Sequence, residues 1–222
     1  MTLAISDAVL VSRLDEHYAT NIWDWACDEV VTLDEAMGQR SRWPKDKAYL
    51  RELLAFFEER NFIAVPKSRR MMVTWAAALW AVWRARYRPD QKIFIQSDTE
   101  SKAAFVVDQR CAFIEDHLRT PGIIRRYSAL RTSEGQIGKM VYEGTESWIQ
   151  AIAQGEEKIR GYTYSALISD EIEHQQEGHK ALTAALPALE KDAKLIMIGT
   201  SNGPGGVLAQ VCESVGFTRW AA

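Results

Sequence analysis

The sequence predicts an α/β domain with a mostly parallel central sheet flanked by helices, plus a helical extension at the N-terminus. Three observations carry this reading. Short apolar runs at 62–65, 92–96, 164–168 and 194–198 have the length and composition of strands buried on both faces. Segments of helical periodicity at 74–87 and 99–118 alternate with them, as in doubly wound sheets. The run Tyr164-Ser165-Ala166-Leu167-Ile168-Ser169 then stops abruptly at two adjacent carboxylates, Asp170 and Glu171. Ligands of such sheets bind outside the carboxyl ends of the strands, so this run delivers both acids to the place where chemistry occurs.

Within 1–60 the segments 3–11, 22–31 and 47–60 carry apolar residues at helical spacing, and Thr32 with Glu35 resembles a capping box. Trp43-Pro44 marks a turn between them. The strand 62–65 leads directly into Pro66-Lys67-Ser68-Arg69-Arg70-Met71-Met72-Val73-Thr74 and then into the helix 74–87, which Arg88-Pro89-Asp90 ends. After the strand 92–96, Ser97-Asp98-Thr99 opens an amphipathic helix to Leu118, stopped by Thr120-Pro121-Gly122. The stretch 123–155 reads as short strands and turns punctuated by Gly135, Gly138, Gly144 and Gly155. Beyond Glu171 come a helix at 179–190, the strand 194–198 and a glycine-rich loop at 200–206. The chain thus divides into an N-terminal helical region, 1–60, and a core, 61–222.

Composition narrows the class. With 47% apolar and 26% charged residues among 222, the chain has the balance of a globular protein. Its three cysteines are widely spaced and odd in number, which points to reduced thiols in a cytosolic compartment. The longest apolar run, 73–83, is too short to span a bilayer and is followed by Arg84, Arg86 and Arg88. A net charge of −3 excludes a globally basic nucleic-acid binder but leaves room for a local basic groove. His174 and His179 sit in no zinc-protease pattern and are read as non-ligands.

A strand, a lysine-bearing loop and a threonine at the start of a helix form the layout of a phosphate-binding loop. The usual G-x-x-x-x-G-K-[ST] pattern uses glycines for close backbone approach, lysine for phosphate oxygens and Ser/Thr for Mg²⁺. Here both glycines are missing, and the lysine stands at the front of the loop. Lys67, Arg69 and Arg70 nevertheless crowd cations at a helix N-terminus, where the dipole repels them. That arrangement is unfavourable until an anion arrives.

The loop Pro66–Thr74 resembles the deviant Walker A loop of the large terminase subunit of tailed bacteriophages. Ile168-Ser169-Asp170-Glu171 is similar to that family's Walker B strand and catalytic glutamate. Gly199-Thr200-Ser201-Asn202-Gly203 resembles its coupling motif, and Arg160-Gly161 the Arg-Gly ahead of its Walker B strand. The resemblance covers residues 40–210 with the motifs in the family's order. It implies a P-loop NTPase core of the ASCE/RecA-like type with ATP as substrate and Mg²⁺ as cofactor.

The resemblance also implies roles. Nucleotide contacts fall on Lys67, Ser68, Arg69, Arg70, Met71, Met72, Val73 and Thr74, with Lys67 on the β/γ-phosphates. Thr74 and Asp170 would hold the metal, Glu171 would polarise the attacking water, and Arg160 would serve as an arginine finger. Trp43 and Pro44 would pack on adenine, and Thr200, Ser201 and Asn202 would couple hydrolysis to motion. Plainer readings exist: Thr74 as a helix cap, Arg160 in an ion pair, Asn202 as a turn residue. The implied partners are double-stranded DNA, held by its backbone through candidates Arg84, Arg86, Arg88, Arg125, Arg126 and Arg131, a portal protein and the small terminase subunit. A homo-oligomeric ring acting in the host cytoplasm at the procapsid portal vertex completes that expectation, with no membrane involved. Only Glu213 is acidic after Asn202, so a nuclease domain, which needs clustered acids, is expected to be absent. Two other functions remain open at this level: a helicase-like translocase, and a degenerate P-loop docking module without turnover.

Overall fold

The computed structural model describes residues 7–34, 37–68, 71–120, 127–155, 163–174, 189–200, 206–213 and 216–220. The N-terminal region holds α1 (Asp7–Tyr18) and α2 (Ile22–Glu29), the latter capped by the Asn21 side chain, which accepts from Asp24 N at 3.0 Å. The predicted helix 22–31 stops early because Val30-Val31-Thr32 is a β-branched run. It becomes β1 (Val31–Asp34), paired antiparallel with β2 (Gln39–Arg42) across a turn in which Gly38 adopts φ +63°. Thr32 therefore caps no helix; its hydroxyl lies 3.1 Å from that of Ser41 across the hairpin. α3 (Ala48–Glu59) follows, presenting Leu50, Leu53, Leu54 and Phe57 to the core.

The core begins with β3 (Phe62–Lys67) and α4 (Val73–Tyr87), then β4 (Lys92–Ser97) and α5 (Glu100–Val106). The predicted helix 99–118 starts with a Thr99 cap but widens into a π-helical stretch, Val107–Ala112, before α6 (Phe113–Asp116). Three strands, β5 (Tyr127–Arg131), β6 (Ile137–Tyr142) and β7 (Ser147–Ala153), form an antiparallel meander where short strands and turns were predicted. β8 (Tyr164–Ser169), a 3₁₀ turn (Ile172–His174), β9 (Leu189–Thr200), α7 (Val207–Glu213) and β10 (Thr218–Arg219) complete the described chain. Residues 189 and 190, predicted as the end of a helix, open β9; the rest of that predicted helix up to 188 lies outside the described residues.

One sheet joins the core strands in the order β10-β3-β9-β8-β4-β7-β6-β5. From β10 to β7 every neighbouring pair is parallel; β6 and β5 add the antiparallel edge. Strand alternation divides the core between two faces. Ile93, Ile95, Ala166, Ile168, Ile196 and Ile198 pack on the α4 side, while Phe94, Tyr164, Leu167, Leu195 and Met197 pack on the α7 side. Helix α4 is buried around nearly its whole circumference, because the sheet, α3 and the α5–α6 segment all pack on it. Two of its tryptophans are tied outward: Trp80 Nε1 donates to Glu58 Oε1 at 2.6 Å and Trp83 Nε1 to Tyr18 O at 2.7 Å. The order of strands puts β9 between the lysine-bearing β3 and the acid-bearing β8. Their carboxyl ends open on one side of the sheet.

Candidate active site

β3 ends at Lys67, in register with Thr200 at the end of β9. α4 returns Thr74 to the same corner, and β8 stops one residue before Asp170, whose backbone N–H is held by Gln96 O of β4 at 3.0 Å. Lys67 Nζ donates to Thr74 Oγ1 at 2.9 Å and to Asp170 Oδ1 at 2.9 Å, and lies 3.0 Å from Glu171 Oε1. Thr74 Oγ1 in turn donates to Asp170 Oδ2 at 3.0 Å. The side chains of Thr74, Asp170 and Glu171 thus converge on one ammonium. The Lys67 and Asp170 side chains are 11% and 10% exposed, whereas Glu171 is 41% exposed, so the pair lies inside the corner and the second acid at its mouth.

Burial alone would lower the Lys67 pKa. The charges and hydrogen bonds of Asp170, and then of Glu171, outweigh it and hold the lysine above its ordinary value. The same corner carries backbone strain. Met72, the N-cap of α4, has φ +55°, and Glu171 has φ +53°, a left-handed conformation that costs a side-chain-bearing residue about 1–2 kcal/mol. Such outliers persist where the surroundings over-determine them, often at functional sites. Met72 stands where the usual loop pattern has a glycine, and its conformation is the one that glycine adopts without penalty.

The donor set fits a hard divalent cation. Thr74 Oγ1 and Asp170 Oδ2 bring two oxygen atoms to one corner, and an ammonium already lies against both residues. Mg²⁺ is commonly held by only one or two protein oxygens, with substrate phosphates and waters filling the remaining positions. Among the described residues no cluster of three or more His, Cys, Asp or Glu forms a separate metal site.

The other predicted site residues fall in several places. Ser68 is exposed; Met71 and Met72 are half-buried, and Val73 is buried. Trp43 is enclosed in the core at 1% exposure, which removes its ring from contact with a ligand; its backbone N–H donates to Val30 O at 3.1 Å. Pro44 is half-buried beside it, and Thr200 is half-buried at the end of β9. Arg69, Arg70, Arg160, Ser201 and Asn202 lie outside the described residues. Arg86 is no candidate for DNA: its side chain is fully buried against Glu115. Arg84 is paired with Glu58 and lies over Trp80, and Arg88 lies over Trp83. Arg131 donates to Gly135 O, while Arg125 and Arg126 are outside the described residues.

Two contacts escaped the sequence reading. Tyr49 Oη donates to Met71 O at 3.2 Å, and Lys47 Nζ lies 3.8 Å from Met72 Sδ, so the start of α3 props the loop from behind. Helical periodicity marks Tyr49 only as a partly apolar helix residue, and nothing in its spacing points to the loop.

No protein-family model and no curated protein matches the chain by sequence. Solved structures do match it. The large terminase of bacteriophage HK97 superposes with a TM-score of 0.63 at 14% identity, over 86% of this chain and 40% of that one. The large terminase of a thermophilic bacteriophage, in complex with ADP, gives 0.59 at 12% identity, over 77% of this chain and 44% of that one. The same protein in complex with ATP-γ-S gives 0.56 at 13% identity, over 77% and 43%. The chain therefore spans less than half the length of the terminases it superposes on. At these identities the likeness shows the fold: a P-loop-type α/β domain.

Proposed function

We propose that this chain is the ATPase motor domain of a phage large terminase, hydrolysing ATP to drive double-stranded DNA into a procapsid. The observation that carries the reading is the convergence of Lys67, Thr74, Asp170 and Glu171 within hydrogen-bond distance at the carboxyl ends of parallel strands. Fold likeness to terminases solved with ADP and ATP-γ-S supports it.

Each residue then acts through its own chemistry. Lys67 leaves the carboxylates for the β/γ-phosphate oxygens when ATP arrives, since a triphosphate offers it more negative charge than the two acids do. Thr74 and Asp170 would hold Mg²⁺, which when bound neutralises charge on the phosphates and orients them. Release of Lys67 frees Glu171 at the mouth of the corner, where it accepts a proton as water attacks. The bond from the water oxygen to the γ-phosphorus forms as the bond to the β–γ bridging oxygen breaks, giving ADP and phosphate. Arg160 stabilises the charge on the transferred group, an effect of about 10³–10⁵ in rate for such arginines. The region 1–60 acts as an extension on the nucleotide side, and Thr200, Ser201 and Asn202 relay the state of the site. DNA backbone, portal protein and small terminase subunit are the partners of this reading, with a ring as the working assembly at the portal vertex.

The test is titration of the chain with a fluorescent ATP analogue and Mg²⁺, in wild type and in Lys67→Ala. The expected result is saturable binding that the substitution abolishes. Absence of wild-type binding at millimolar nucleotide would overturn the reading and favour a docking module.

A further inference from the structure

Two residues beyond Glu171, a third acid has a different task. Glu173 sits in the 3₁₀ turn Ile172–His174, and its carboxylate accepts from the backbone N–H groups of Val207 at 3.1 Å and Leu208 at 2.8 Å. These are first-turn donors of α7, which have no acceptor within the helix. A carboxylate there forms charge-assisted hydrogen bonds and is favoured by the helix dipole. The fit is close. A Cβ built on Gly206 would lie 2.6 Å from Glu173 Oε2, so any other residue there would displace the carboxylate. On the other side of the same turn, a Cβ on Gly199 would lie 3.2 Å from Ile172 Cγ2. Ile172 itself is 1% exposed and shares a core cluster with Leu208 and Val211 of α7.

The turn that follows Asp170 and Glu171 is therefore gripped by β9 through Gly199 and by α7 through Gly206, Val207 and Leu208. Glu171 is the left-handed residue at its start, with φ +53°. A strained residue keeps its conformation only while its flanks are fixed. On the Asp170 side the flank is fixed by the hydrogen bond from Asp170 N to Gln96 O, at 3.0 Å. On the other side it is fixed by Glu173.

Building on the ATPase reading above, we infer that Glu173 is a positioning residue: its bond to the start of α7 sets the direction of Glu171 and ties movement of Glu171 to movement of α7. The link is mechanical and two-way. Displacement of Glu171, when Lys67 moves to phosphate, pulls on the turn and loosens or tightens the α7 amides. Displacement of α7 alters the aim of Glu171 at water while leaving the lysine and threonine contacts in place. The signature is a change in the hydrolytic step without a change in nucleotide affinity.

The experiment compares wild type with Glu173→Ala, Glu173→Gln and Met140→Ala. Met140 is buried on β6, separated from β8 by β4 and β7, so its truncation destabilises the fold without touching the turn or α7. Four quantities are read: Tm, affinity for Mg²⁺·ATP-γ-S, the single-turnover rate with Mg²⁺·ATP, and amide hydrogen exchange in 206–213 with and without Mg²⁺·ATP-γ-S. Glu173→Ala should bind the analogue within about threefold of wild type and hydrolyse about 10- to 100-fold more slowly, as a small misplacement of a catalytic group does. Glu173→Gln, which keeps one acceptor oxygen, should fall between. Met140→Ala should lower Tm at least as much as Glu173→Ala does and keep the wild-type rate. The analogue should change exchange in 206–213 of wild type and leave it unchanged in Glu173→Ala. Equal rate losses in Glu173→Ala and Met140→Ala, or an exchange response that survives in Glu173→Ala, would overturn the inference while the ATPase reading stands. A wild-type chain that binds the analogue with no exchange response in 206–213 has the same meaning. Failure of wild type to bind the analogue at all would overturn both.

Discussion

Lys67 is held by two acids of unequal exposure, and that inequality separates their roles. Asp170 shares the interior with the lysine, while Glu171 stands at the solvent edge, where water is available to it. Glu171→Gln preserves the shape of the side chain and removes its basicity. The expected outcome is nucleotide binding close to wild type with turnover reduced about 10²–10⁴-fold, the usual contribution of a general base. Parallel binding and single-turnover measurements check it; an unchanged rate would remove Glu171 from the chemistry. The lysine gives a second prediction, in pH. Its pKa is raised in the folded chain above the ordinary 10.5, despite burial, chiefly by Asp170. A group raised on folding contributes its stability fully below the unfolded value, and that stability is lost as pH climbs through the folded value. The Tm difference between wild type and Lys67→Met should therefore be largest near neutral pH and shrink above the lysine range. A difference that stays constant through that range would mean that the ion pair adds nothing to folding.

At the scale of elements, the strands most legible in the sequence were those buried on both faces. β3, β4 and β8 stand out because a parallel strand covered on both sides has no polar alternation to disguise it, and the helix that follows β3 is apolar around its circumference. The acids at the end of β8 and the lysine at the end of β3 were legible for the same reason, since a charge terminating such a run has only the strand end to occupy. The hairpin of β1 and β2 was not, because its exposed second strand, Gln39–Arg42, carries no apolar pattern. The π-helical stretch leaves no local mark either, since its registers of apolar residues remain close to helical. Glu173 was invisible because its partners lie 34 and 35 residues away and are backbone amides, which carry no side-chain signature. Lys194 belongs to the same class. It is 4% exposed on β9 and donates to Glu58 O at 2.7 Å and Arg60 O at 2.8 Å, closing the carboxyl end of α3 against the sheet. Lys194→Met should remove both bonds and leave buried carbonyls without a donor, at a cost of about 2–4 kcal/mol. For a chain of this size that corresponds to a fall in Tm of about 4–16 °C. Thermal unfolding followed by circular dichroism checks it, and a change of under about 2 °C, worth less than about 1 kcal/mol, would show that the ammonium is dispensable.

At the scale of the molecule, the two faces of the sheet are unequal among the described residues: the α4 face carries the larger core, and the α7 face the smaller. The larger core also contains its own ion pair. Arg86 Nη1 of α4 and Glu115 Oε2 of α6 are 2.7 Å apart, and both side chains are fully buried. Burial works against the charge of Arg86, and the neighbouring Glu115 carboxylate more than compensates, so the guanidinium stays charged. Its position over the Tyr87 ring, at 5.5 Å from the centroid, adds a cation–π contact. A pair of this kind joins two elements with a defined geometry, but its net contribution is small because both ions had to leave water. The two statements separate experimentally. Removing one partner, as in Glu115→Ala, strands a buried charge and should cost about 3–5 kcal/mol. Replacing both with apolar residues, as in the double variant Arg86→Met and Glu115→Leu, should recover most of that loss. Urea unfolding of the two single variants and the double variant gives the coupling directly. If the double variant is no more stable than the less stable single variant, the pair is a net source of stability relative to apolar packing, and the α4–α6 contact depends on charge as well as shape. If it approaches wild type, the ion pair fixes how α6 docks on α4, and the surrounding apolar packing supplies the energy.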